Sequence, residues 1–245
     1  MDLFGKLLST PKKSTGARLL ERLGSAEQLE DRRDAISEFK ELSTQQPMRL
    51  IDKGGISVIV ELMREEDTQL TRDALETLSN LMDPEVPRED PEAARVAAVH
   101  NSSVFLQRPS NVSTVTVAVD YADLYVKFHC VQLLIRLLTI SREQTQEAVL
   151  SQPASVGRIL QLMEDRREII RNEVLLLLAR LAEANSDLQN ILAFQGGELS
   201  ATRTRDAPND PSVTAARWLR AARRYRHRSR QPPLATALGW RRLGG

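Results

Sequence analysis

Leu70-Thr71-Arg72-Asp73-Ala74-Leu75-Glu76-Thr77-Leu78-Ser79-Asn80-Leu81 sets its apolar residues at 70, 74, 75, 78 and 81, the steps of one helical face. The same steps recur at Val126, Cys130, Val131, Leu134 and Leu137, and again at Ile170, Val174, Leu175, Leu178 and Leu181. The second and third copies begin 44 residues apart, the first and second 56. A helical unit repeated every ~40–47 residues stacks into an α-solenoid. The wider spacing therefore predicts one period plus an insertion after Met82. Such stacks build surfaces for other macromolecules and seldom build active sites.

Composition agrees. Across 245 residues, 41% are hydrophobic and 27% charged, the balance of a folded chain, but only 4% are aromatic. A core of Leu, Ile, Val and Ala suits stacked helices better than a β-sandwich. The one cysteine, Cys130, excludes a disulfide within the chain and points to a reducing compartment. Its place on the second stripe reads as a small core residue and not as a reactive thiol. No run reaches the ~20 apolar residues of a membrane span, and the first residues are too short and polar for a secretory signal. The expected location is cytoplasmic, with peripheral membrane contact at most. Asn101-Ser102-Ser103 and Asn111-Val112-Ser113 match the glycosylation sequon and read as chance matches.

Working outward from the stripes, residues 1–13 form a flexible leader and 14–197 the repeat domain, with 83–110 as insertion and loop. A short helix is expected over Ser14–Leu23, a clearer one over Glu27–Thr44, another segment over Ile56–Met63 and then a long helix over Gln69–Met82. Pro84, Pro87 and Pro91 among acids make a solvated loop, and 92–110 reads as weakly helical at best. Val112–Val119 alternates like a strand, but register with the other copies predicts the second helix of a repeat. Helices follow over Tyr125–Ile140, Arg142–Leu150, Pro153–Met163, Glu168–Glu183 and Leu188–Phe194, with stops at Asn185 and Gly196-Gly197. Residues 198–245 then carry eleven arginines, no lysine and three acids, a formal +8 against about −7 for the rest. This Arg-rich tail is expected to be disordered or not native coding sequence; a nucleic-acid arm is the minor reading, and no nucleic-acid partner is expected.

Catalysis finds little support. His100, His129 and His227 lie in three contexts without metal-ligand spacing, and Gly54-Gly55 is a repeat turn and not a phosphate loop. No catalytic residue, cofactor or metal is expected.

The stretch from Gly54-Gly55-Ile56 through Glu61-Leu62 to Ala74–Leu81 resembles the armadillo consensus. The expected fold is thus all-α, an armadillo-like right-handed solenoid of about three to four repeats. More specific are Asp31-Arg32-Arg33-Asp34-Ala35, Asp123-Leu124-Tyr125-Val126-Lys127-Phe128, Asp165-Arg166-Arg167-Glu168-Ile169-Ile170-Arg171-Asn172-Glu173-Val174-Leu175-Leu176-Leu177-Leu178 and Leu188-Gln189-Asn190-Ile191-Leu192-Ala193-Phe194. Together these resemble the globular head of the general vesicular transport factors, Golgi tethers that include plant golgin candidates, over residues 14–197. The resemblance implies a non-enzymatic vesicle tether between endoplasmic reticulum and Golgi and within the Golgi. It implies Rab-type GTPases, SNAREs, golgins and tethering-complex subunits as partners, with a homodimer left open. The chain departs from that family in having no heptad region and in leaving the pattern after Gly197. A cytosolic armadillo co-chaperone of the Hsp70 nucleotide-exchange type, or another armadillo adaptor, is the alternative.

The binding residues expected are Arg136 and Arg180, which hold one register position in successive copies, with Arg171 and Asn172 beside the third stripe. Asn80 holds that position in the first copy, so the asparagine ladder of nuclear-import adaptors is absent. The bland alternative for these arginines is helix capping or pairing with nearby acids.

Overall fold

Several helix starts in this chain are set by single side chains. Ser14, Asp67, Asp90 and Asp123 each accept a hydrogen bond from a backbone amide of the first turn they precede. Pro91 and Pro109 stand at first helical positions, where no amide partner is lost. The computed structural model describes residues 14–45, 54–85 and 90–201. Readings made above for 1–13, 46–53, 86–89 and 202–245 lie outside the described residues.

Eleven α-helices and no strand occur among the described residues. They are α1 (Thr15–Ser25), α2 (Leu29–Gln45), α3 (Gly55–Leu62), α4 (Thr68–Leu81), α5 (Pro91–Leu106), α6 (Pro109–Val117), α7 (Leu124–Ile140), α8 (Arg142–Leu150), α9 (Pro153–Gln161), α10 (Glu168–Leu181) and α11 (Ser186–Ala201). Short 3-10 turns extend α6 over Ala118–Asp120 and α9 over Leu162–Glu164. The chain divides into two compact units, the first ending at Gln152 and the second beginning at Pro153.

In the first unit α4 packs on both α2 and α7, and α1, α3, α5 and α8 complete the surroundings. The stripe that opened the sequence is its centre. Leu70, Ala74, Leu75 and Leu78 are fully buried, as are Val126, Cys130 and Val131 on α7. Each buried leucine contributes on the order of 2 kcal/mol. Cys130 is a core residue: its thiol donates to the Val115 carbonyl at 3.1 Å, and burial pushes its pKa up. In the second unit α9 and its 3-10 turn pack on α10 and α11 around Val156, Ile159, Ile170, Val174 and Leu188.

Two local readings change, and a third gains a physical reason. Residues 92–110 are well-formed helix, α5 and the start of α6, and not a weakly ordered insertion. The pattern hid this because α5 buries polar Asn101 and Ser102 beside Ala94, Ala97, Ala98 and Phe105. Buried polar groups blur the apolar period, and Asn101 meets its cost by donating to the Leu81 carbonyl at 3.2 Å. Second, α11 continues through Gly196-Gly197 to Ala201; glycine in a helix interior costs about 1 kcal/mol each but is not an obligatory stop. Third, both sequon asparagines are buried, and Asn111 donates to the Phe105 carbonyl at 2.9 Å, so neither amide is presented for a glycan. The alternating valines of 112–117 are helical as register required.

Candidate binding surface on the third helices

The half-exposed residues of α4 beyond its first turn fall in one line. Between Leu70 and Met82 every residue is buried except Arg72, Glu76 and Asn80, four apart and half-exposed. Register carries these positions to Phe128, Gln132 and Arg136 on α7, and to Asn172, Leu176 and Arg180 on α10, all half-buried. A helix buried on every side but one presents its partners with that side only.

Within the first unit the line is bordered by seams of paired side chains. Between α2 and the start of α4, Arg33 donates to Asp67 at 2.6 Å and Arg32 to Glu65. The Arg33 guanidinium and the Leu70 amide hold the Asp67 carboxyl below its ordinary range. Further along, Lys40 pairs with Asp73 at 2.8 Å and lies 3.8 Å from Glu76. Asn80 donates its amide to the Ser43 hydroxyl at 3.1 Å. The seam between α4 and α7 is made by His129, whose Nε2 lies 3.7 Å from Glu76, and by Arg136.

His129 and Glu76 are shifted toward neutrality. Burial first, then the cations Arg136, Lys40 and Arg72, push the imidazole down to about 4. Burial likewise raises Glu76, against the pull of Lys40. His129 is therefore uncharged near pH 7, and its approach to Glu76 is a polar contact and not an ion pair.

Arg136, expected as a binding residue, is engaged within the chain. Its Nε and Nη2 reach Asp83 Oδ2 at 3.0 and 2.8 Å, and its Nη1 donates to the Ser79 hydroxyl. Arg171, Asn172 and Arg180 belong to the second unit. Arg171 donates to the carbonyls of Asp165 and Arg166 at 2.7 and 2.9 Å, closing the turn that precedes α10. Arg167 pairs with Asp165 in the same turn, at 2.8 Å. Arg180 and Asn172 are half-buried on the line that register predicted. Sequence reasoning did not single out Arg72, Glu76 or the Asp83 carboxylate. The four-residue step from Arg72 through Glu76 to Asn80, between copies of the apolar stripe, was the available signal for the first two. For Asp83 there was none, because its partner lies 53 residues away.

The family model for the armadillo/beta-catenin-like repeat matches residues 43–83. The chain is 31% identical over 198 residues to Golgin candidate 6 of Arabidopsis thaliana, covering 79% of this chain and 22% of that protein. It is 29% identical over 187 residues to the general vesicular transport factor p115 of Homo sapiens, covering 73% of this chain and 19% of that protein. Intracellular protein transport protein USO1 of Saccharomyces cerevisiae matches at 22% over 226 residues, 80% of this chain and 13% of that protein. A crystal structure of Uso1 superposes with a TM-score of 0.62 at 18% identity, over 82% of this chain and 35% of that one. The fold is an all-α, armadillo-type solenoid, and over most of its length the chain is a homologue of vesicular transport tethers. It spans about a fifth, or less, of the length of the curated relatives it matches.

Proposed function

We propose, from this homology to vesicular transport tethers, that residues 14–197 form the partner-binding head of a tether acting in endoplasmic reticulum-to-Golgi and intra-Golgi transport. The head binds proteins and catalyses nothing. It engages Rab-type GTPases, SNAREs, golgins or tethering-complex subunits, and it associates with Golgi membranes peripherally. The observation that carries the reading is the match to Golgin candidate 6 along 79% of the chain. Among the described residues no helix is long and apolar enough to cross a membrane.

The binding residues in this reading are Arg136 on α7 of the first unit and Arg171, Asn172 and Arg180 on α10 of the second, each unit presenting its own stretch of third-helix surface. Their mixed polar character favours a partner segment that brings hydrogen-bonding and carboxylate groups. Charge reversal of Arg136 and Arg180 together tests it: partner capture falls while the helical circular dichroism signal stays. Unchanged capture by the double variant removes the surface from the reading.

The co-chaperone alternative is separated by one pull-down series. The immobilised chain is offered a GTP-loaded Rab, the same Rab with GDP, and Hsp70. Retention of the GTP form alone supports the tether head. Accelerated ADP release from Hsp70 overturns it.

A further inference from the structure

The arginine at the third register position of α7 is already holding a carboxylate, and that carboxylate comes from the inserted loop. Arg136 binds Asp83 Oδ2 through two nitrogens, at 3.0 and 2.8 Å, and the Ser79 hydroxyl through a third. The arrangement is that of a guanidinium reading an acidic side chain, with a neighbouring hydroxyl completing the shell. Both partners keep some solvent access, at 24% and 17% exposure, so the pair lies at the surface of the seam and not in the core. Asp83 is the second residue of the nine-residue link between α4 and α5, whereas the link between α7 and α8 is Ser141 alone. The register equivalent of Asp83 in the following repeat is Thr139, inside α7, so no acid recurs there. The carboxylate on Arg136 is thus a property of the insertion and not of the repeat.

We propose that Asp83 is an autoinhibitory occupant of an acid-binding subsite formed by Arg136 and Ser79, and that an acidic segment of a partner protein displaces it. This rests on the reading of the third helices as the binding surface and specifies what one subsite takes and what guards it. The Asp83 carboxylate stands where a partner glutamate or aspartate would bind. Its other oxygen, Oδ1, accepts from the Glu85 amide at 2.9 Å, so displacement also releases the turn that begins the loop. The pair is half-buried but open to solvent along one edge, and that edge is where a multivalent acidic segment competes with Asp83.

The test uses the full chain and a fluorescein-labelled hexaglutamate peptide, followed by anisotropy at low salt. Asp83→Asn is expected to bind the peptide at least about fivefold tighter than the parent, the lower end of ordinary coupling. Adding Arg136→Gln should abolish that gain. This second variant is needed because residues 198–245 carry eleven arginines that attract the same probe. Equal affinity of Asp83→Asn and the parent overturns the proposal, as does a gain that survives Arg136→Gln. If Asp83→Asn melts early, the parent chain supplies the second measurement: the NMR signal of the Arg136 Nε–H must move when hexaglutamate is added. A signal that stays fixed at saturation overturns the proposal too. A loss of partner capture in the Arg136/Arg180 charge reversal, with Asp83→Asn inert, rejects the autoinhibition alone. Both results negative reject the surface with it.

Discussion

Helices α5 and α8 are the first helices of successive repeats, and they differ in almost everything except where they end. Each is followed by two residues and then a proline that starts the next helix, at Pro109 and Pro153. Aligned from that point, Phe105 matches Val149, and Asn101 matches Thr145, all four buried. Upstream the two diverge: α8 begins at Arg142, the equivalent of Ala98, while α5 carries seven more residues back to Pro91. The lesson is that the second and third helices form a fixed module whose spacing cannot change without moving the apolar stripe. The first helix is where length varies. Extra residues at its start lengthen one end of one helix and leave the packing of α6 on α7 in register. The insertion counted from the stripes is thus mostly a longer link and two added helical turns.

The comparison can be broken most severely at the buried anchors. Phe105→Ala should cost about 3–5 kcal/mol in urea unfolding, a ring-sized cavity. The matching Val149→Ala should cost about 1.5 kcal/mol, two methyl groups' worth of burial. Equal costs would show that the longer helix is no more deeply committed to the core than the short one.

Next in size is a pH effect in the fixed module. The folded pKa of His129 lies at about 4, below its ordinary 6.5. The folded state therefore holds the imidazole neutral where the unfolded chain takes a proton. Nothing is lost above 6.5; stability falls as pH drops from there to about 4, by about 3 kcal/mol in all, and His129 adds no further loss below that. The measurement is the stability difference between the parent and His129→Gln across pH 7 to 4. Glu76, raised by burial, slopes the other way and cancels in that difference. A flat difference would mean that the α4–α7 seam is open to water.

Smaller again is the contrast between helix starts. Asp90 caps α5 through the Ala93 amide at 2.9 Å, while Ser141 makes no side-chain cap on α8. Asp90→Ala should lower thermal stability by about 1 kcal/mol and Ser141→Ala by much less. The reverse order would place the stability of α5 in its core face alone. The smallest effect concerns the turns. Gly54 meets its left-handed φ of 62° with the residue suited to it, but Ala184 adopts φ 57° with a side chain. Ala184→Gly relieves about 1 kcal/mol of backbone cost, less the entropy glycine brings to the unfolded chain. A gain of a few tenths of a kcal/mol by calorimetry is the expected balance.

Legibility from sequence followed the same division. The fixed module was readable because its buried positions are almost wholly apolar, so the stripe at Leu70, Val126 and Ile170 repeats without gaps. That register also overruled the strand-like alternation at 112–119. The first helix of the longer repeat was not readable, because Asn101 and Ser102 are buried on it and interrupt the period. Of the expected binding residues, position on the line was legible for Arg136 and Arg180. Their partners were not: an Arg136–Asp83 pair joins residues 53 apart, and no local pattern encodes such a distance.

The sequence by itself determined the helical class, the repeat period, the register of the third helices and the kinship to vesicle tethers. Each of these is written in the identity and spacing of side chains along one helix, or in matched stretches of chain. Only the tertiary structure decided that α5 is a full helix, that His129 is held neutral, and that the acidic loop places Asp83 on Arg136. Those outcomes depend on burial and on charges brought together from separate helices, and burial is a property of the packed molecule and not of any segment within it.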